Sequence, residues 1–429
     1  MFILPILLFL GVVCYEGGIV ILNLRYFDDF DMELTTNRDQ PIAVVTNLEH
    51  ITGLNTARSL QQAGVRVLGL STSPESPLSR TNCCELIFHQ DKNDLIETLL
   101  KIGSELDSPC LLFPCSDVYV YLISEHREQL KSLFHVSLPD KNTINTFIDK
   151  ICFAEYAEQH NLATPASYKI YKNKPLSDQI QEVDYPCLLK PTVKDKQWKR
   201  HNPRDKVFKL NNKSELIDKC TEIFGYMSEC LVQDWIDGDD GDVYFCLMSY
   251  DEQSKCIAAW TGRKIRQWPS LTGSTASAEP VNNDFVMSES RRLFDSVAYK
   301  GLGSVEFKYC KRRKKYFITE PTVGRPNLQS RIAVVNGCNL PALLLKTYHP
   351  DFTFNQDNDR PCKWINEWSE LYSSKYYRRA GELTLYEWFK SLKGDKSYAL
   401  FSATDMKPFY FYLLKNLKAK FSTLLKSHD

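Results

Sequence analysis

Residues 41–72 constrain the fold more than any other stretch of the chain. IAVVTN, starting at Ile42, is the short apolar, β-branched run that a buried strand requires, and GLNTARSLQQAG follows with apolar residues at helical spacing and a closing glycine. VRVLGLST is then a second apolar strand. Two strands joined through one helix lie parallel with a right-handed crossover, because the helix carries the chain back to the edge from which it started. A further strand, PCLLFPCSD, ends at Ser116 and Asp117, the carboxyl edge where open α/β sheets place ligands. Residues 41–140 therefore read as a doubly wound α/β domain. The turn after the first strand is NLEHITG and not G-x-G-x-x-G, which leaves an NAD-linked oxidoreductase with little support.

From about residue 141 the pattern changes. DKICFAEYAEQHNL is an amphipathic helix, followed by a TPAS turn and the strand SYKIYK. YPCLLKPT is an apolar strand that delivers Lys190 at its end, KSELIDKCTEIFGY is a helix, and ECLVQDWI is another strand. DVYFCLMSYDE and KCIAAWTGRKIRQW alternate as long strands, ESRRLFDSVAYKG is helical, and GSVEFKYC with KKYFITEPT forms an antiparallel pair. Strands with helices on one side make residues 141–350 an α+β region. Residues 351–429 are aromatic-rich (WINEWSELY, LYEWFKSL, KPFYFYLL) and read as helical. A chain of 429 residues exceeds one typical core, in keeping with two or three packed domains.

Charge excludes some partners. Lys plus Arg and Asp plus Glu each number 53, so the whole chain exerts no long-range pull on nucleic acid or anionic lipid. Local runs such as KPTVKDKQWKRHNPRDKVFK and KYCKRRKK are either phosphate-facing loops or solvated faces. Fourteen cysteines occur singly or as Cys83-Cys84, without a C-x-x-C pair, and fit a reducing, cytoplasmic setting. Phe2 to Leu24 is apolar apart from Tyr15, Glu16 and Asn23 and approaches the length of a membrane span. Three readings of residues 1–40 stand: a dispensable extension, a membrane anchor, or a cleaved signal.

Four features in fixed order carry the chemistry. Lys150 opens a helix, an arrangement also common on surfaces. Lys190 ends an apolar strand, where an ammonium meets solvent or an anion because it cannot stay buried alone. LVQDWIDGDDGDVYF sets a strand before a polar hinge (Gln233, Asp234, Ile236) and an acidic turn with Asp242; the hinge offers backbone groups to a purine and the carboxylate suits a ribose diol, unless this is a plain acidic hairpin. Glu306 and Glu320 lie on neighbouring strands joined by a basic turn, and in simple register both face one side. Two carboxylates in an apolar setting repel unless a cation lies between them, and Mg²⁺ bound with nucleotide phosphates satisfies that need. Between the third and fourth features, Arg263, Lys264 and Arg266 precede a Ser/Thr/Gly-rich loop suited to an anion. Of the three, Arg266 is the favoured inward-facing group.

In this order the residues resemble the ATP-grasp superfamily, in particular its carboxylate–amine ligases of the carbamoyl-phosphate synthase large chain and D-aspartate ligase type. The resemblance covers about residues 41–345, from the first domain through DK…TP, CLLKPT and LVQDWIDG to GSVEFKY…YFITEPTVGRP. It implies a pre-ATP-grasp Rossmann-like domain followed by two ATP-grasp lobes, Mg-ATP (with Mn²⁺ as an alternative ion), and small-molecule carboxylate and amine substrates. By the same resemblance Lys150 and Lys190 hold phosphates, Gln233, Asp234 and Ile236 form the adenine hinge, Asp242 binds ribose, and Glu306 and Glu320 bind metal. Lys264, Arg266 and Arg325 are the expected catalytic cations. No nucleic-acid partner is implied, and a homodimer and membrane association through residues 2–24 stand as expectations. Two departures affect the site. The usual Glu-x-Asn-x-Arg is here Glu320-Pro-Thr322-Val-Gly-Arg325, which leaves the number of metal ions open, and the loop after Lys190 has no glycines, so Lys194, Lys196 or Arg200 would close it. The alternative function is a catalytically degenerate nucleotide-binding protein that regulates or scaffolds a partner.

Overall fold

The computed structural model describes residues 40–192, 196–202, 207–356 and 360–426, without the side chains of residues 196, 199 and 419–426. Residues 1–39, for which an extension or anchor was expected, lie outside the described residues. Among the described residues no helix is long and apolar enough to cross a membrane.

β1 (Ile42–Val45), β2 (Arg66–Ser71), β3 (Glu85–Phe88), β4 (Cys110–Phe113) and β5 (Phe134–His135) form a wholly parallel sheet in the order β3-β2-β1-β4-β5. The order runs outwards from β1 on both sides, the doubly wound arrangement predicted from the strand-helix-strand pattern. Val44, Leu68 and Leu112 are buried in it, and helix Ile51–Gln62 buries Leu54, Ala57 and Leu60. Each of these buried valine and leucine side chains stabilises the fold by roughly 1.5–3 kcal/mol.

β6 (Ser167–Tyr171), β7 (Cys187–Lys190), β8 (Phe208–Leu210) and β9 (Glu229–Asp234) form a small antiparallel sheet in the order β6-β9-β7-β8. Ile170, Leu189 and Val232 pack with Leu216, Cys220 and Ile223 of helix Lys213–Ile223 in a core of its own. β10 (Val243–Tyr250), β11 (Cys256–Trp268), β12 (Ser274–Pro280), β13 (Gly301–Cys310), β14 (Lys315–Val323), β15 (Cys362–Ile365) and β16 (Asp395–Tyr398) make a large sheet ordered β14-β13-β10-β11-β12-β15-β16. Its neighbours are antiparallel except for β15 and β16. One buried cluster runs from Val44 and Leu112 through Phe147 to Val305 and Ile318, so the parallel sheet and the large sheet share a core. At the start of β13, Gly301 has φ +81°, and a Cβ there would sit 2.0 Å from the Ser137 carbonyl oxygen. Only glycine allows the chain after β5 to approach the large sheet so closely.

Two expectations are corrected. The polar segment read as a flexible loop contains β12, paired with β11 from Gly262↔Pro280 to Trp268↔Ser274. The C-terminal region read as helical has helices Glu367–Arg379, Leu385–Ser391 and Lys407–Lys426 but also β15 and β16. Trp364 and Ile365 of β15 are fully buried, and Ile365 pairs with Ser277 of β12. Pairing with a distant strand overrides the local helical pattern there. The region is fastened to the first sheet by a buried ion pair: Arg58 Nε donates to Asp405 Oδ2 at 2.8 Å, and its Nη2 donates to the Leu400 and Asp405 carbonyls.

Candidate active site

Lys190, the last residue of β7, pairs with Leu231 of β9 and is only 9% exposed. Its Nζ donates to Gln233 Oε1 at 2.8 Å, and Gln233 Nε2 donates to Ser167 Oγ at 2.8 Å, so the ammonium sits among polar groups instead of stranded in the core. Lys150 is the first residue of helix Lys150–Gln159, whose cap Asp149 accepts from the Ile151 and Cys152 amides at 2.8 and 3.0 Å. Lys150 and Lys190 line one cavity of about 350 Å³, together with Gln233, Asp234 and Ile236 of the hinge and with Glu306 and Glu320 of the large sheet.

The two glutamates stand directly across β13 and β14 from each other. A register shift after Glu306 lets Phe307 pair with Ile318 and leaves Thr319 as the extra residue, and both carboxylates border the cavity. Glu306 is fixed from two sides: Lys264 Nζ donates to Oε2 at 2.9 Å, and Gln329 Nε2 donates to Oε1 at 3.3 Å. The Lys264 ammonium, 3% exposed, also donates to Gln267 Oε1 at 3.2 Å. Glu320 is exposed at the same cavity. Thr322 lines it where the family pattern has asparagine, and Asn327, from the chain after β14, lies alongside, its Nδ2 donating to Ser304 Oγ at 2.8 Å and Thr322 Oγ1 at 3.4 Å. Carboxylate and amide oxygens are hard donors, and two carboxylates on adjacent strands fit a Mg²⁺ or Mn²⁺ ion that takes its remaining ligands from phosphate and water. Among the described residues no group of three His, Cys, Asp or Glu forms a metal cage, so the protein's share of such a site is these few oxygens.

Asp242 does not line the cavity. Its carboxylate accepts from the Asp239 amide at 2.7 Å and pairs with Lys311 at 2.9 Å. The basic turn between β13 and β14 closes on the acidic hinge: Lys311 also meets Asp239 at 2.6 Å, Arg312 meets Asp237 at 2.8 Å, and Arg313 meets Asp234 at 3.1 Å. Opposite charges in the two turns pair with each other, and Asp242, expected to bind ribose, is placed in that charge cluster and not in the cavity lining. The buried neighbour Asp240 holds the next turn instead, accepting from the Gln267 and Leu271 amides at 2.8 and 2.7 Å. That turn brings Leu271 to Thr275 to the cavity.

Arg266 also points elsewhere. β11 carries register shifts on both sides of it, so its side chain leaves the face of Lys264 and pairs with Glu370 at 2.5 Å, both groups buried. Its Nη2 donates to Ser391 Oγ at 2.8 Å, and Glu370 Oε1 also accepts from Trp388 Nε1 at 2.9 Å. Arg263 pairs with Glu279 at 2.7 Å. Arg325 does border the cavity, with Nε donating to Asp117 Oδ1 at 2.6 Å, and it borders a second cavity of about 680 Å³ at the carboxyl edge of the parallel sheet with Glu49, Lys92 and Tyr412. Of the expected loop cations, Lys194 and the side chain of Lys196 lie outside the described residues, and Arg200 is exposed on a short helix.

The sequence reading missed Lys308, Gln267, Asn327 and Gln329. Lys308 is 6% exposed on β13, its ammonium 4.7 Å from the Trp235 ring centre, with Lys209 at 4.1 Å from the same ring. Burial pushes its pKa below the ordinary lysine value. Its placement two residues after Glu306 on one strand was the available signal, since i and i+2 share a face.

No family model matches the sequence. The chain is 26% identical over 269 residues to D-aspartate ligase from Enterococcus faecium, a match that covers 60% of this chain and 64% of that protein, so it spans just under two thirds of the relative's length. In fold it is similar to N5-carboxyaminoimidazole synthetase from Staphylococcus aureus (TM-score 0.56, 14% identity, 76% of this chain and 82% of the other). It is also similar to the biotin carboxylase domain of 2-oxoglutarate carboxylase from Hydrogenobacter thermophilus, solved with MgADP and bicarbonate (TM-score 0.56, 13% identity, 74% and 71%). The parallel sheet, the two further sheets and these likenesses agree, and the chain has the ATP-grasp fold.

Proposed function

We propose that the protein uses Mg-ATP to activate a carboxylate as an acyl phosphate, which an amine then attacks to form an amide. The observation that carries this reading is the pairing of Glu306 with Glu320 across two strands at a cavity that Lys150 and Lys190 also line. Lys150 and Lys190 bind the nucleotide phosphates, and the Gln233–Ile236 segment takes the purine. Bound at Glu306 and Glu320, Mg²⁺ would offset the charge of the phosphates and polarise the transferring group. Lys264 and Gln329 keep the Glu306 carboxylate oriented, and Lys308 adds a cation to the same wall. The γ-phosphoryl group passes from ATP to a carboxylate oxygen, releasing ADP; the amine then bonds to the acyl carbon and loses a proton as phosphate departs. Arg325, held by Asp117 where the two cavities meet, orients the substrate carboxylate. The likeness to D-aspartate ligase makes amino acids the first substrates to try, and the need for ATP suits a cytoplasmic enzyme. Thr322, in place of the usual asparagine, favours a second reading in which nucleotide binds without turnover.

ADP release in the presence of amino acids, amino sugars and small acids separates the two readings. The ligase reading predicts ADP formation that depends on a carboxylate, with a hydroxamate appearing when hydroxylamine replaces the amine. Nucleotide binding with no substrate-dependent ADP release across that set would leave the second reading.

A further inference from the structure

The proposed reaction makes no use of the surface formed by the three C-terminal helices. Trp368 of helix Glu367–Arg379 packs on Tyr412 of helix Lys407–Lys426 (5.7 Å between ring centres), and Arg378 lies 5.8 Å from the Trp388 ring of helix Leu385–Ser391. The first helix therefore adjoins both others. Large side chains stand out from all three: Tyr376, Leu385, Tyr386, Phe389, Tyr410 and Phe411 are exposed, Tyr386 to 73%. Surfaces of soluble monomers rarely gather so many large apolar groups.

The charge of the same region is one-sided although the whole chain is balanced. Residues 366–426 contain eleven Lys and Arg against six Asp and Glu. Three of those acids, Glu367, Glu370 and Asp405, are buried. Helix Lys407–Lys426 has five lysines and no acidic residue. Lysine stems and aromatic rings together suit the headgroup layer of a bilayer, where rings sit at the boundary and ammonium groups reach anionic phosphates. An acidic protein groove would attract the lysines but would not account for rings spread over three helices.

We propose that this face rests on an anionic lipid surface, peripherally and without insertion of a spanning helix. The rings enter the interface, and Lys407, Lys415 and Lys418, all exposed, supply the electrostatic attraction.

The test is co-sedimentation of the full-length protein with vesicles of pure phosphatidylcholine and of phosphatidylcholine with an equal part of phosphatidylglycerol. The quantity read is the ratio of binding to the two, which an apolar stretch without lysine or arginine, such as residues 2–24, does not set. Binding should favour the anionic vesicles at least tenfold and weaken as salt rises. The variant Lys407→Glu/Lys415→Glu/Lys418→Glu should lose that preference while its melting curve is unchanged. The variant Tyr386→Ser/Phe389→Ser, altered only at exposed sites, should bind anionic vesicles several-fold less and serves equally should the first fail to fold. Equal binding to the two vesicle types, or full anionic preference in the folded variants, overturns the proposal. So does a wild-type dimer in sedimentation that the Tyr386→Ser/Phe389→Ser variant converts to monomer, since the face would then be covered by a second copy.

Discussion

Replacing Glu320 by alanine is expected to lower ADP formation about a thousandfold and to leave the fold intact. The carboxylate lies at the end of an exposed side chain on β14, so its removal opens no cavity in the core. Its partner across the strands, Glu306, is already engaged by Lys264 and Gln329. A divalent ion between the two strands would therefore depend on Glu320 for the carboxylate not neutralised by a neighbouring ammonium, and loss of one such ligand removes several kcal/mol of transition-state stabilisation, on the order of 4 kcal/mol for a thousandfold effect. Initial rates of ADP release, with an unchanged urea midpoint, check the prediction. A variant that keeps its rate within tenfold would take Glu320 out of the site.

The second large effect is on stability. Glu370→Ala is expected to cost roughly 3–5 kcal/mol, because it strands the Arg266 guanidinium in a dry environment. The side chains of Arg266 and Glu370 are 7% and 1% exposed, and the same carboxylate also accepts from Trp388. One substitution thus takes the counter-charge from a buried cation and an acceptor from a buried indole N–H, while β11 loses its ion pair to helix Glu367–Arg379. Urea unfolding followed by fluorescence would read this as a lower midpoint. The folded protein should still bind nucleotide with near-normal affinity, since Arg266 faces away from the cavity. An unchanged midpoint, or nucleotide affinity that collapses in fully folded protein, contradicts this placement of Arg266.

Arg266 and Asp242 mark where reading from sequence stops. A strand's two-residue period puts Lys264 and Arg266 on one face, and the register shifts on either side of Arg266 break that period. Such irregularities depend on the partner strand and leave no local trace. Asp242 has the right residue type after the right strand, but the turn that neutralises it is some seventy residues further on. β15 and β16 were hidden for a related reason: each has four residues and takes its stability from a distant strand. What was legible rests on short-range rules. The strand-helix-strand at residues 42–71 could pair only in parallel, and the hairpin of β13 and β14 was legible as a pair of strands, although Glu306 stands opposite Glu320 only because Thr319 is an extra residue between the turn and the pair. Lys190 was legible because a lysine closing an apolar strand needs a polar partner, here Gln233. Lys308 escaped notice because it opens the basic run KYCKRRKK and was taken with it, despite sharing a strand face with Glu306, and Gln329 because nothing near it distinguishes it from an ordinary loop residue.

The most direct measurement is a crystal structure with Mg²⁺ and a non-hydrolysable ATP analogue. The account predicts the triphosphate between Lys150 and Lys190 on one side and Glu306 and Glu320 on the other, with the purine against Gln233–Ile236. An empty cavity there, or a nucleotide seated instead at the carboxyl edge of the parallel sheet, would contradict it.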